Sequence, residues 1–280
     1  MPVASVNGVK LYYEVTGDGF PLVLSHEFAG TYRSWEPQVK FFSRRYEVIT
    51  YNHRGFPPSD APAEASAYSQ EILVEDLHRL LRYLGVQQAF IGGCSMGGTV
   101  ALSFGITHPE MTKGLIIVSA GSGSSDRKNF EISLSGMAQQ IETIGWKKLA
   151  ERYAREPNRI QLLRKDPKSW QEFRDELAEH DDKASALLIR EVILKRPTIP
   201  ALENELRRLP VPTLIMIGDE DERCIEPAWL MKKYIPGAGL IVFPQSGHAI
   251  NLEEPDLFNR AVLDFMGYVE AGKWAVRSLP

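Results

Sequence analysis

The residues with the most chemical content lie in Ile91-Gly92-Gly93-Cys94-Ser95-Met96-Gly97-Gly98, whose centre reads Gly-x-Ser-x-Gly. A short apolar run, Gln88 to Ile91, precedes it, and Thr99 to Ile106 follows with apolar residues at helical spacing. A strand, a very tight turn and a helix would hold the Ser95 hydroxyl above a sheet, free to attack a carbonyl. Gly93 and Gly97 stand two residues to either side, where strand and helix must approach each other. The start of the following helix would favour negative charge developing beside the serine.

A serine hydroxyl needs a base to take its proton, and the base needs a carboxylate to orient it. When serine sits on this kind of turn, the chain order is serine, acid, histidine. The histidines are 26, 53, 78, 108, 180 and 248. His180, in Glu179-His-Asp-Asp182, reads as the solvated face of a charged helix. His248, in Gln245-Ser-Gly-His-Ala-Ile250, lies on a loop leaving an apolar strand and is the expected base. The acid belongs to Gly218-Asp-Glu-Asp-Glu222, directly after the strand Leu214–Ile217. Asp221 has the reach to cross to His248, whereas Asp219 is close enough to the strand end to turn the backbone.

A tetrahedral intermediate needs two backbone N–H donors. Met96, next to the nucleophile, supplies one. Phe28, in the loop His26-Glu-Phe-Ala-Gly30 after the strand Pro21–Ser25, supplies the other. His26 and Glu27 would shape that loop or border the substrate. An ionised Glu27 aimed at the oxyanion would oppose catalysis, so its side chain is expected to turn away, toward the loop, a backbone N–H or Arg54.

The elements that must position these groups follow a βα rhythm. Val3–Val6 and Lys10–Val15 read as strands joined by an Asn7-Gly8 turn. Further strands are expected at Pro21–Ser25, Tyr46–Tyr51, Gln88–Ile91, Gly114–Ser119, Thr213–Ile217 and Gly239–Phe243. Helices are expected at 35–42, 70–84, 99–106, 226–235 and 254–269. Residues 122–208 break the rhythm, with candidate helices at 129–144, 146–155, 168–179, 183–194 and 198–208, punctuated by prolines. The pattern predicts an α/β core of residues 1–121 and 209–280 with a mostly parallel central sheet, and a helical cap at 122–208. An insertion leaving a strand end sits where open α/β sheets bind ligands, so the cap would act as a lid. Phe130, Met137, Trp146, Trp170 and Phe173 could line its pocket or form its own core.

The bulk numbers agree with this picture. The 280 residues are 44% hydrophobic, enough for one large domain or a core with an insertion. The net charge of −4 gives no electrostatic case for nucleic acid or an anionic membrane. There is neither a long apolar run nor a basic-then-apolar leader, and two cysteines, Cys94 and Cys224, do not suggest a disulfide framework. The expectation is a cytoplasmic monomer or homodimer acting on a small molecule, without membrane, nucleic acid, metal or cofactor.

Taken together, Gly93-Cys-Ser-Met-Gly-Gly98, His108-Pro-Glu110, Arg54-Gly-Phe-Pro-Pro-Ser-Asp60, Gly218-Asp-Glu-Asp221 and Ser246-Gly-His248 resemble the α/β-hydrolase fold superfamily. The likeness is to its small capped serine esterases, enol-lactonases and cofactor-free haloperoxidases. It implies Ser95 as nucleophile, Asp221 as acid, His248 as base, and Phe28 and Met96 as oxyanion donors. His26-Glu27 stands where a histidine-glycine is usual, and Pro57 where a glycine is usual. The resemblance implies a carboxylic ester hydrolase. It also admits a C–C bond hydrolase of vinylogous diketones, although such relatives usually carry asparagine in place of Cys94, or a ligand sensor on a hydrolase fold. Epoxide and haloalkane cleavage in this fold needs an aspartate where Ser95 stands.

Overall fold

Asn7 and Gly8 both have positive φ, 47° and 77°, as a two-residue turn between twisted strands requires. The computed structural model describes residues 2–278 of the chain. β1 (Val3–Val6) and β2 (Val9–Thr16) flank the turn as an antiparallel hairpin. Strands and helices then alternate through β3 (Phe20–Ser25), α1 (Glu36–Phe42), β4 (Tyr46–Tyr51), α2 (Gln70–Tyr83), β5 (Ala89–Cys94), α3 (Met96–Thr107) and β6 (Thr112–Val118). Only helices follow for the next ninety or so residues: α4 (Arg127–Ile144), α5 (Trp146–Tyr153), α6 (Ile160–Lys165), α7 (Pro167–Leu177), α8 (Asp182–Leu187) and α9 (Glu203–Arg208). The alternation resumes with β7 (Thr213–Gly218), α10 (Glu222–Tyr234), β8 (Ala238–Phe243), α11 (Ile250–Glu253) and α12 (Pro255–Glu270).

The strands form one sheet in the order β1-β2-β4-β3-β5-β6-β7-β8. β1 and β2 are antiparallel to their neighbours, and β4 through β8 run parallel. β5 and β7 are buried at every position. Their unbroken apolar character follows from a sheet covered by helices on both faces. α2 shows the opposite pattern. Ser69 caps it by accepting from Ile72 N–H at 3.1 Å, and its Leu73, Leu77, Leu80 and Leu81 face inward. The result is the mostly parallel α/β sheet that the sequence pattern predicts. Among the described residues no helix is long and apolar enough to cross a membrane.

Because β3, β5, β6, β7 and β8 are consecutive neighbours, the loops at their carboxyl ends lie side by side. Ser25 pairs with Gly93, Cys94 with Val118, Val118 with Met216, and Gly218 with Phe243. His26–Gly30, Ser95, Asp221 and His248 all follow those ends, and the helical segment leaves the sheet from β6 at the same edge.

The helical segment differs in detail from its sequence pattern. α6 is too short, at six residues, to show a periodic stripe. The expected helix 183–194 is α8 continued by a π-helical run, Leu188–Ile193. His180 is a correction: it is buried, not solvated, and packs its ring against Phe56 and Trp146. The acidic residues beside it serve the backbone. Asp181 accepts from Ala184 N–H and Asp182 from Trp146 N–H. Their charge made the whole stretch read as surface.

Candidate active site

β5 ends at Cys94, and α3 begins at Met96. Ser95 makes the whole turn between them, at φ 54° and ψ −110°. A non-glycine residue in that region stores about 1–3 kcal/mol of strain and is retained where the surroundings over-determine it. Here the Ser95 N–H donates to the Val118 carbonyl at 2.8 Å, which ties the turn to the neighbouring strand. A Cβ on Gly93 would collide with the Gly97 carbonyl, and one on Gly97 with the carbonyls of Ser25 and His26. Only glycine lets β3, β5 and α3 converge beneath the serine.

His248 leaves the end of β8 and directs Nδ1 at Asp221 Oδ2, 2.7 Å away. Both side chains are buried. Burial pushes the Asp221 carboxyl up, but the facing His248 and hydrogen bonds from His248, Asn158 and Cys224 together hold it below the usual carboxylate range. Glu253 fixes the histidine's backbone by accepting from Gly247 N–H at 2.6 Å and Ala249 N–H at 3.1 Å. Asp219 does not reach His248 and instead accepts from Ser246 N–H at 3.1 Å. Ser95, Asp221 and His248 border one cavity, which Phe28, Phe130 and Met137 also line. Trp146, Trp170 and Phe173 are packed within the helical segment and do not border it.

The loop after β3 is held by histidines rather than by a glycine. His26 Nε2 accepts from His53 N–H at 3.1 Å, so Nδ1 carries the ring proton and donates to the Glu27 carbonyl at 2.7 Å. Burial lowers the His26 pKa to about 4, although the Glu27 carbonyl and carboxylate oppose the shift, so the ring is neutral. Gly30 N–H donates to the same Glu27 carbonyl at 3.1 Å. In a trans peptide the carbonyl and the next N–H point in opposite directions. Pinning the Glu27 carbonyl therefore fixes where Phe28 N–H points. Among the described residues neither Phe28 N–H nor Met96 N–H donates within the chain.

Glu27 is a second correction. Its carboxylate does not turn toward Arg54, which is already held by Asp76 through two contacts of 2.6 Å. It pairs instead with Arg159, on the approach to α6, at 2.6 Å and 3.3 Å. Glu27 Oε2 also lies 4.0 Å from His248 Nε2. Burial raises the Glu27 pKa, but Arg159 and His248 outweigh it and hold the group below its ordinary value. The neighbouring Asn158 accepts from His248 N–H at 2.8 Å through its carbonyl and donates Nδ2–H to Asp221 Oδ1 at 3.2 Å. Lys165 reaches Ser246 Oγ at 2.8 Å. Sequence reasoning missed Asn158, Arg159 and Glu253. Pro157 marked the first two only as a break between helices, and no local pattern joins positions 27 and 159.

Among the described residues two side-chain groups bring three potential metal-ligand atoms within 4.8 Å: Glu75, His78 and His108, and Asp221, Cys224 and His248. In the second, Asp221 and His248 already face each other across their hydrogen bond. Cys94 and Cys224 are unbridged and buried, and burial raises both thiols well above their usual range, which leaves them poor nucleophiles.

A parallel sheet with a strained serine at a strand-to-helix turn and a buried histidine–aspartate pair beside it defines a hydrolase-type site. The sequence profile of the alpha/beta hydrolase fold matches residues 21–255, and the chain belongs to that family. A putative carbamate hydrolase, RutD, of Azorhizobium caulinodans is 26% identical over 96% of this chain and 100% of its own. A 2-hydroxymuconate semialdehyde hydrolase of Pseudomonas putida is 29% identical, over 91% of this chain and 90% of its own. The crystal structure of an enol-lactonase from Burkholderia xenovorans superposes with a TM-score of 0.85 at 25% identity, covering 95% of this chain and 100% of that one.

Proposed function

We propose that the protein hydrolyses carboxylic esters of small to medium acyl or aryl groups, lactones included, through an acyl-enzyme on Ser95. His248 Nε2 takes the Ser95 proton as Oγ attacks the carbonyl. Asp221 holds Nδ1–H and stabilises the imidazolium that forms. The oxyanion is received by Phe28 N–H and Met96 N–H, with the start of α3 adding its dipole. His248 returns the proton to the leaving alkoxide. Water then attacks the acyl-enzyme by the same route in reverse. The helical segment 122–208 acts as the lid, and Asn158 and Arg159 are its contacts with the base and the oxyanion loop.

The observation that carries this reading is the buried 2.7 Å His248–Asp221 pair opening onto the same cavity as Ser95. The enol-lactonase likeness supports acyl chemistry, and Cys94 in the position next to the nucleophile favours it over C–C cleavage. A panel of esters graded by acyl and alcohol size, set beside a vinylogous diketone, tests it. Ester turnover that is lost in Ser95→Ala is the expected result. Cleavage of the diketone alone would overturn the ester assignment. Ligand binding without turnover of either would favour a sensor.

A further inference from the structure

Arg196 follows the π-helical run that ends at Ile193, and its side chain is 6% exposed. Arg196 borders the cavity that holds Ser95. All of its partners are neutral. Nη1 donates to Thr99 Oγ1 at 3.3 Å, and Nη2 donates to the Ser122 carbonyl at 3.2 Å and Ser122 Oγ at 3.0 Å. Among the described residues no carboxylate lies within 4.0 Å of it. The other buried arginines of the chain differ: Arg54 is matched to Asp76 and Arg159 to Glu27. Burial lowers the Arg196 pKa to about 10, and the nearby Arg127 adds to the shift. Cys224, the one group that opposes it, is a thiol pushed well above its usual range and hence neutral.

A guanidinium out of water without a counter-ion costs several kcal/mol, and buried charges are as a rule paired. The other charges bordering the cavity do not cancel this one. Arg159 is paired with Glu27, and Asp221 faces His248 rather than Arg196. Neither Glu156 nor Arg223, which also border the cavity, forms an ion pair with Arg196. Arg196 is therefore the buried cation of the cavity wall that lacks a carboxylate partner among the described residues. Its position relative to the nucleophile follows from Thr99, whose N–H donates to the Ser95 carbonyl at 3.0 Å in the first turn of α3. Thr99 lies about one helical turn after Ser95, which puts Arg196 on the same stretch of the cavity wall as the nucleophile.

We propose that Arg196 binds a carboxylate of the substrate, so that the preferred substrates are esters or lactones whose acyl part ends in a carboxylate a few bonds from the scissile carbonyl. The Arg196 fork matches the two carboxylate oxygens. Ser122 and Thr99 hold the fork in place. The inference rests on the ester-hydrolase reading for its chemistry, but on the unpaired guanidinium for its charge preference.

The test compares monobenzyl glutarate with benzyl pentanoate, esters of equal acyl length that differ in one charge. Wild type is expected to favour the glutarate in kcat/KM, chiefly through KM. Arg196→Met is expected to reduce that preference by about 10- to 150-fold, the loss of a charge-assisted hydrogen-bonded pair. Arg196→Lys keeps the charge, loses the fork and should fall between them, which also serves if the methionine variant does not fold. Binding of glutarate to Ser95→Ala, measured by calorimetry, reads the subsite without catalysis and should vanish in Ser95→Ala/Arg196→Met. No preference for the charged ester in wild type, or an equal loss on both esters in Arg196→Met, would overturn the proposal. Glutarate binding that depends on Arg196, with neither ester turned over, would sustain the subsite and overturn the ester-hydrolase reading.

Discussion

Glu27 and Arg159 join the loop after β3 to the helical segment through a buried pair 132 residues apart in sequence. Glu27→Gln keeps the shape of the side chain but leaves the Arg159 guanidinium buried and unmatched. Arg159→Met leaves the Glu27 carboxylate bare, 4.0 Å from His248 Nε2. Removing one partner of a buried ion pair costs about 3–5 kcal/mol, because the remaining charge has no compensation. The charges left behind act on the base in opposite directions. At 4 Å and an effective dielectric constant near 20, one unit charge changes the energy of an imidazolium by up to about 4 kcal/mol. Glu27→Gln should therefore oppose proton uptake by His248 and move the acid limb of the pH–rate profile down, with kcat reduced. Arg159→Met should favour the imidazolium and move that limb up, while the bare carboxylate opposes the oxyanion. Removing both charges together leaves neither penalty. Urea unfolding of the two single variants and the double variant forms the cycle, with kcat and KM followed over pH on the same proteins. Each single variant should be less stable by about 3–5 kcal/mol, and the double variant should recover at least about 2 kcal/mol of the summed loss. Additivity to within about 0.5 kcal/mol would refute the argument, as would pH limbs that move in the same direction.

Acid should unfold the protein through its buried histidines. Burial lowers His26 to about 4 and His180 to about 3, and places His53 well below its ordinary value. The unfolded chain takes up these protons first, so stability is full above about pH 6.5 and declines as pH falls toward the folded values. At about pH 5 His26 and His180 should each have removed about 2 kcal/mol, with His53 acting in the same direction. Stability by urea unfolding that stays flat from pH 7 to about pH 5 would contradict it. Asp221→Asn should lower kcat by about 10⁴, since the imidazole loses the carboxylate that orients and stabilises it, whereas Asp219→Asn, whose side chain accepts from Ser246 N–H, should cost about tenfold or less. The reverse ranking in steady-state kinetics would refute the assignment of the acid.

What was legible in the sequence was local or strictly periodic. The Asn7-Gly8 turn, the α2 stripe and the strand–serine–helix turn each depend on neighbouring residues and on backbone angles that few side chains tolerate. The parallel strands were legible because burial on both faces makes them apolar throughout. Gly93 and Gly97 pointed to Ser95 because nothing larger fits between β3, β5 and α3. The missed features depend on charge meeting charge across the fold. Arg159 reads as one more basic residue in a charged helical stretch until its position opposite Glu27 is known. His180 reads as surface because Asp181 and Asp182, its neighbours, spend their carboxylates on backbone N–H groups. Arg196 gives no sign in the sequence of lacking a counter-ion. A buried charge has no periodic signature, so its partner, or its want of one, is visible only in three dimensions.

The central claim is that Ser95 is the nucleophile and that the fold makes it so. A fluorophosphonate probe tests this directly, because it requires an activated serine and an oxyanion pocket but no knowledge of the natural substrate. Peptide mapping by mass spectrometry after labelling should place the phosphonyl group on Ser95. Labelling should disappear in Ser95→Ala and slow greatly in His248→Ala, with both variants folded by circular dichroism. A modified serine elsewhere, or labelling of folded Ser95→Ala at the wild-type rate, would contradict the account.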